Sequence, residues 1–143
     1  MKILIAVDGS PHALAAVAAL AERIGWFRDA PKLTLLHAQP PIPYKAAAVA
    51  NVGREAVATY YDEENDAALS GARRLLEARG IAFVIEKCVG DPADEIIRHS
   101  SEREFDLIAM GTHGHTALAN LVMGSVATRV LARSKIPVLF MKS

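Results

Sequence analysis

Five short apolar runs, separated by helical patterns, constrain the fold of this chain more than any other feature of its sequence. Each run is continuous rather than alternating, which is typical of parallel strands covered by helices on both faces. Parallel neighbours can be joined only by a crossover over one face of the sheet, and such crossovers are right-handed. The sequence therefore predicts a three-layer, Rossmann-like α/β fold in which an open parallel five-stranded sheet lies between helices. The five predicted strands are Ile3 to Val7, Leu33 to Ala38, Ile81 to Ile85, Phe105 to Met110 and Pro137 to Met141.

Four helical patterns complete the expected fold. They begin at Ser10-Pro11, Arg54, Asp91-Pro92 and Gly124-Ser125. A capping side chain followed by proline at the first helical position opens the first and third patterns. The first is expected to end at Gly25, and the long second pattern runs to Arg79, before Gly80.

The stretch from residue 39 to residue 53 departs from this regular alternation. It holds three of the seven prolines and is longer than the ~2–6 residues usual for such a connection. We interpret it as a surface loop, which either covers a site or is a variable connection without function.

Composition and charge exclude several classes of protein. A length of 143 residues predicts one domain spanning residues 1–143. The 16 Lys and Arg balance 16 Asp and Glu, so neither nucleic acid nor an anionic membrane is expected as a partner. The apolar runs are far shorter than the ~18 residues that span a bilayer, and the N-terminus does not resemble a cleavable signal. A single cysteine, Cys88, interpreted as an ordinary residue near a strand end, excludes an internal disulfide, and the expected location is cytoplasmic.

Glycines follow the fourth predicted strand, where the chemistry of an open α/β sheet is expected. Ligands of such sheets bind beyond the carboxyl ends of the strands. Residues 111–116 read GTHGHT, and Gly124-Ser125 opens the last helical pattern. Glycine lets backbone amides approach an anion closely, and helix N-termini present unsatisfied N–H groups. These residues therefore indicate either an anion cradle or a tight turn that needs glycine for conformational reasons alone.

The glycine spacing G-x2-G-x9-G-[ST] resembles the ATP-binding signature of the universal stress protein (UspA) family. Further agreement lies in the opening ILIAVDGS, in LLHA, in GDP before the third helix, in FDLIAMGTHG and in the closing IPVLFMK. The resemblance covers essentially the whole chain. It implies an adenine-nucleotide alpha-hydrolase-like fold that binds ATP or another adenine nucleotide.

The resemblance also implies roles for individual residues. Asp8 matches an acidic position near the adenosine, where a carboxylate can accept hydrogen bonds from ribose hydroxyls. Ala6 and Val7 would form an apolar wall, and Met110 would pack near the sugar or base. Ala38 matches a position, more often valine, whose backbone hydrogen-bonds the adenine edge.

The phosphates would lie against the loop and the last helix. The positions that match phosphate-binding residues are Gly111, Gly114, Gly124, Ser125 and Val126. His113 and His115 occupy the intervening loop, and would either contact phosphates when protonated or face solvent. No metal ligand is predicted, because His-x-His without a nearby Cys, Asp or Glu lacks a third protein ligand for zinc. Magnesium, if it takes part, would be coordinated by the phosphates of the nucleotide.

Other nucleotide or phosphate folds match less well. No Walker P-loop is present, and Gly9 stands alone where a dinucleotide fingerprint needs several glycines. A response-regulator receiver needs a pair of acidic residues after the first strand and a phosphoacceptor Asp at the end of the third. Here Asp8 has no acidic neighbour, and residues 86–88 are Glu-Lys-Cys. An adenylate-forming enzyme would need a catalytic constellation for a second substrate, and none is visible.

Two classes of function remain, and no catalytic residue is predicted. The first is a nucleotide-binding regulatory protein of the stress response with little or no turnover. The alternative is a slow ATPase or a nucleotide-dependent phosphotransferase, which would need a base and charge stabilisation near the γ-phosphate. Only His113, His115 and the distant Asp91 could serve, with Arg129 as the nearest fixed cation in the last helix.

A homodimer through the last strand is also expected. Residues 138–141, Val-Leu-Phe-Met, are apolar, and an apolar edge strand left bare is a pairing hazard. The family resemblance implies antiparallel pairing of this strand with its copy across a two-fold axis.

Overall fold

Five parallel strands form the central sheet of the protein, in a computed structural model that describes residues 1–43, 53–114 and 123–141. The strands are β1 (Lys2–Ala6), β2 (Lys32–Gln39), β3 (Phe83–Val89), β4 (Leu107–Gly111) and β5 (Val138–Met141). The helices are α1 (Pro11–Glu22), α2 (Arg54–Ala78), α3 (Pro92–Glu102) and α4 (Ser125–Arg133). The spatial order β3-β2-β1-β4-β5 confirms the predicted open α/β class. None of the helices in the described ranges combines the length and apolarity needed to cross a bilayer.

The two faces of the sheet carry two separate cores. Along β1, Ile3 and Ile5 face one side and Leu4 and Ala6 face the other. Helices α1 and α2 pack on the first face, and α3 and α4 pack on the second. Both faces of the central strands are therefore buried, which explains why their sequences are continuously apolar.

Helix α1 begins as predicted and ends earlier than predicted. The Ser10 side chain accepts a hydrogen bond of 3.1 Å from the Ala13 backbone N–H, which caps the first turn. The helix ends at Glu22 rather than Gly25, and a 3₁₀ turn over Ile24–Trp26 follows. Glu22, Gly25 and Trp26 are exposed, so no buried face holds this part of the chain in the α-helix.

Strand β3 lies further along the chain than its apolar run predicts. The prediction ended at Ile85, whereas hydrogen bonds to β2 continue β3 to Val89, which pairs with Gln39. Strand β3 is at the edge of the sheet, and its residues alternate between more and less exposed positions. An edge strand accepts charged residues such as Glu86 and Lys87, which a continuous apolar pattern does not anticipate.

Replacing Leu4 with alanine tests the buried position of β1. Leu4 is fully buried beneath α3 and α4, so Leu4→Ala should lower the free energy of unfolding by about 2–5 kcal/mol. Leu131→Ala is the matched control, because Leu131 is 53% exposed and its loss should change stability by no more than about 0.5 kcal/mol. Chemical denaturation measures both, and equal effects would contradict the assignment of β1 to the centre of the core.

Candidate functional site

A cleft of about 610 Å³ opens where the strand order reverses between β1 and β4. Its walls come from the carboxyl ends of β1, β2 and β4, the starts of α3 and α4, and one face of α2. A parallel sheet opens a crevice at this point because its two neighbouring crossovers leave on opposite faces. The volume suits a ligand of nucleotide size.

The turn between β1 and α1 fixes Asp8 at the cleft. The Asp8 Oδ1 atom accepts a hydrogen bond of 3.0 Å from the Ser10 backbone N–H. Gly9 adopts a φ of +78°, and a Cβ at this residue would lie only 2.9 Å from the Ala68 Cα on α2. The turn needs glycine for both reasons, and it holds the carboxylate between β1 and the glycine loop after β4.

The end of β2 forms a second wall of the cleft. The buried His37 ring places Nδ1 2.6 Å from the Val7 carbonyl oxygen. Because a carbonyl oxygen only accepts, Nδ1 carries the proton and donates it in this hydrogen bond. This bond ties β2 to the end of β1 and orients the neighbouring Ala38 backbone at the cleft.

The three glycines of the predicted cradle differ in what a side chain at each position would contact. A Cβ on Gly111 would lie 3.2 Å from two backbone oxygens, and a Cβ on Gly114 would collide with the Asp8 carboxylate. Gly124 has an ordinary extended backbone, with φ −70° and ψ 161°, at the N-cap of α4. A Cβ there would have its nearest neighbours at 3.5 Å, an ordinary contact distance. Neither backbone conformation nor protein packing requires glycine at position 124.

The electrostatics of the cleft come from backbone dipoles rather than fixed cations. Of the described residues that line it, Asp8 and Glu64 carry carboxylates, and none is lysine or arginine. The N-terminus of α4 contributes the positive end of its dipole and its first backbone N–H groups. An anion in this cleft would therefore be held mainly by amides.

Arg129, which the sequence suggested as the nearest fixed cation, is engaged elsewhere. Its guanidinium forms ion pairs with Asp91 at 2.8 Å and Asp94 at 3.2 Å, and joins α4 to the start of α3. Hydrogen bonding from Arg129, followed by the Asp94 backbone N–H, holds the pKa of the Asp91 carboxyl below its ordinary value. Both groups therefore serve the contact between α3 and α4, and neither lines the cleft.

His113 reaches the cleft, whereas its neighbour in the motif lies outside the described residues. The His113 Nδ1 atom is 3.0 Å from the Thr112 hydroxyl, and its ring centroid is 5.7 Å from that of His12. His115 and residues 44–52 of the expected surface loop fall outside the described ranges. The proposed contact of His113 with phosphates stays a prediction.

The structure brings most of the predicted site residues together. Those that line the cleft are Ala6, Val7, Asp8, Ala38, Met110, Gly111, His113, Gly114, Gly124, Ser125 and Val126. Their roles toward a ligand stay predictions. Gln39, which follows the second predicted strand, also lines the cleft, as do His37, Glu64, Pro92 and Ile96, to which the sequence assigned no role at the site. Gln39 could be placed at the cleft from the sequence because it directly follows Ala38. Glu64 could not, because no local pattern shows which face of α2 packs toward the cleft.

The turn at Gly9 gives a test of how Asp8 is positioned. Gly9→Ala should lower the free energy of unfolding by roughly 1–3 kcal/mol, because alanine is strained at this φ and its methyl group would press on Ala68. Gly25→Ala is the control, since a Cβ there meets nothing within 4 Å. Thermal or chemical denaturation compares the two, and an unaffected Gly9→Ala variant would be inconsistent with the described turn.

Comparison with known proteins identifies a family. The model of the "Universal stress protein family" matches residues 1–142. Universal stress protein MJ0531 of Methanocaldococcus jannaschii is 36% identical over 88 residues, which are 62% of this chain and 52% of that protein. The chain thus spans about half, or less, of three of the curated relatives it matches. A Thermus aquaticus universal stress protein is 30% identical, over 98% of this chain and 97% of its own length.

Solved structures share the fold over nearly the whole chain. The structure of MJ0577, from the same archaeon, has a TM-score of 0.81 at 27% identity, over 99% of this chain and 95% of its own. A universal stress protein in complex with cAMP has a TM-score of 0.71 at 24% identity, covering 99% and 96% of the two chains. An Arabidopsis thaliana family protein with AMP bound has a TM-score of 0.68 at 18% identity, covering 99% and 91%.

Proposed function

The chain belongs to the universal stress protein family, and we propose that it binds an adenine nucleotide in the cleft between β1 and β4. One observation carries this proposal: position 124 is glycine although neither its backbone conformation nor its packing requires glycine there. A glycine at the N-terminus of a helix beside a cleft is explained if an anion must approach its backbone. Family proteins have been solved with cAMP and with AMP bound, and on that basis we take the anion to be the phosphate of an adenine nucleotide.

The proposed pose follows the walls of the cleft. The adenine edge would meet the Ala38 backbone at the end of β2, with Ala6, Val7 and Met110 as apolar surface. The ribose hydroxyls would donate hydrogen bonds to the Asp8 carboxylate.

The phosphates would lie on the opposite side of the cleft from the base. Amides of the loop after β4 and of the first turn of α4, with the Ser125 hydroxyl, would bind them. The Gly114 position keeps the loop close to Asp8, so sugar and phosphate contacts form together.

We propose ATP as the ligand, with magnesium carried on its phosphates. The carboxylates of Asp8 and Glu64 make the cleft unfavourable for a polyphosphate that is not neutralised. A magnesium ion held by the phosphates would offset that repulsion without needing a protein site of its own.

We further propose that the nucleotide acts as a regulatory ligand in a stress response, with little or no turnover. Rapid hydrolysis needs groups that bind the transition state more tightly than ATP itself. The described lining offers amides, a hydroxyl and His113, while Arg129 is paired with Asp91 and Asp94. The alternative, a slow ATPase or phosphotransferase, would have to rely on His113 or His115 as its base.

Nucleotide binding is tested at the glycine that the fold does not require. Gly124→Val should leave the fold intact and weaken binding at least tenfold, which is about 1.4 kcal/mol, because its side chain would occupy the phosphate position. Gly114→Val should also weaken binding, through displacement of Asp8. Titration calorimetry with ATP and magnesium measures both.

Gly25→Val serves as the control for these two variants, since position 25 has open space around it and lies in the turn after α1. It should bind as the unmodified protein does. Unchanged affinity in a folded Gly124→Val protein would remove the proposed phosphate site.

Turnover and loop ordering test the regulatory proposal. We expect hydrolysis well below about one ATP per second, the low end of ordinary enzymes, since the described lining holds no lysine or arginine to stabilise the transition state. ATP should also slow hydrogen exchange in residues 111–116 and 39–53, because a ligand shifts conformation only through differential affinity. Faster turnover would favour the ATPase alternative and make His113→Ala and His115→Ala the next experiments.

We also propose a homodimer joined through β5. This strand lies at the edge of the sheet and, among the described strands, pairs with β4 alone. Its residues are apolar, and Leu139 is 36% exposed. Antiparallel pairing of two copies would satisfy the unpaired backbone groups of this edge.

Charge introduced at either edge of the sheet tests the dimer. Light scattering at micromolar concentration should give the mass of two chains, and Leu139→Lys on β5 should shift the protein to one chain. Val84→Lys is the matched control, because Val84 is 60% exposed on β3, the opposite edge. A monomeric mass for the unmodified protein would argue against the dimer.

A further inference from the structure

A cluster of metal-ligating side chains lies between β3 and α3, next to the β2 wall of the nucleotide cleft but not among the residues that line it. Glu86 and Cys88 are two residues apart on β3, and Glu95 and His99 are one helical turn apart on α3. The side chains of His99, Glu86 and Glu95 are only 8%, 13% and 17% exposed. Three of the groups, on Cys88, Glu95 and His99, offer ligand atoms that all lie within 4.8 Å of one another.

The hydrogen bonds of His99 determine which of its nitrogens carries the proton. An Arg98 guanidinium nitrogen lies 3.1 Å from Nε2, and because arginine only donates, Nε2 is the accepting nitrogen. The proton is therefore on Nδ1, which donates to Glu86 Oε2 at 3.0 Å. A carboxylate that binds the far nitrogen of a histidine is the arrangement that orients metal-ligating histidines in proteins.

We propose that Cys88 Sγ, a Glu95 carboxylate oxygen and His99 Nε2 form a zinc site, with Glu86 orienting His99. A tetrahedral zinc with bonds of about 2.0–2.3 Å holds its ligand atoms roughly 3.3–3.8 Å apart. His99 Nε2 and Glu95 Oε2 are already 3.5 Å apart. The ligand set of thiolate, carboxylate and imidazole suits Zn²⁺, and three protein ligands leave a fourth position for water.

The backbone is arranged to bring Glu95 to this cluster. A Cβ on Gly90, directly after β3, would lie 2.7 Å from Glu95 Cγ and Oε1, so a larger residue there would require the Glu95 side chain to move. Burial, together with the Glu95 carboxylate, raises the pKa of the Cys88 thiol to about 12. The metal-free thiol is therefore neutral, and zinc must displace its proton, as it does at other thiolate sites.

Arg98 holds the position of a cation in this cluster. One guanidinium nitrogen contacts both Glu95 Oε2, at 2.5 Å, and His99 Nε2, at 3.1 Å. The side chain is 48% exposed and also pairs with Glu102 outside the cluster, so it keeps an ion-pair partner at the surface when it gives up Glu95 and His99. Zinc would exchange places with this guanidinium.

Cobalt titration of the purified full chain tests the site. Because Cys88 is the only cysteine, a thiolate-to-cobalt charge-transfer band reports this site alone, and visible bands report tetrahedral geometry. We expect both bands at one equivalent of Co²⁺ and their loss when Zn²⁺ is added. Cys88→Ser should abolish the charge-transfer band, and Glu86→Gln should keep it while lowering affinity about 10–100-fold.

Two further variants separate a metal site from a structural ion-pair network. Arg98→Gln should raise the affinity for Co²⁺, because it removes the competing cation. His113→Ala should leave the bands unchanged, since His113 lines the nucleotide cleft and is not one of the proposed metal ligands. Circular dichroism checks that each variant is folded.

Absence of the charge-transfer band in the unmodified protein overturns the proposal. So does metal binding that persists at equal affinity in Cys88→Ser, which would place the ion on ligands other than Cys88. A lower affinity in Arg98→Gln would show that the guanidinium supports the cluster rather than competing for it, and would also contradict the proposal.

Discussion

Hydrogen bonding of β1 to β2 on one side and to β4 on the other determines where this protein can hold a ligand. The crossover from β1 to β2 carries α1 over one face, and the segment that ends in β4 carries α3 over the opposite face. β1 and β4 are hydrogen-bonded along their length, and the cleft opens beyond their carboxyl ends, where the two crossovers diverge. The described groups assigned to the nucleotide lie at this opening, at the ends of β1, β2 and β4, in the turn or loop that follows, or at the start of α4.

The second constraint is the sign of the charge inside the opening. Carboxylates of Asp8 and Glu64 line a cleft whose described walls contain no lysine or arginine, and Arg129 faces α3 instead. Backbone amides are then the means left for holding phosphate, and the absence of a side chain at Gly124 leaves room beside the first turn of α4 for an anion to approach them. Under the proposed function, amides placed for a bound phosphate would stabilise the ground state, as expected of a protein that retains its nucleotide rather than consuming it.

Much of the fold could be predicted because local signals and buried surfaces agree. The caps at Ser10 and Asp91 fix two helix starts, and both side chains accept the expected backbone hydrogen bonds. The central strands read as continuous apolar runs because helices cover both of their faces. The extent of β3 was predicted wrongly, since its ladder to Gln39 depends on β2 rather than on its own apolarity.

The site was predictable only in part, for a physical reason. The glycine spacing and Asp8 lie beside strand ends, so adjacency in sequence reports their location. Contacts between distant segments leave no such local trace. The pairing of Arg129 with Asp91, and the meeting of Cys88 with His99, depend on how α3 packs against its neighbours.

The most direct measurement of the central claim is a crystal structure of the protein grown with ATP and magnesium. The account predicts adenine against the Ala38 backbone, ribose at the Asp8 carboxylate, and phosphates beside Gly124 on the amides of Gly114 and Ser125. Nucleotide bound at another surface, or phosphates held by side-chain cations outside the cleft, would contradict it.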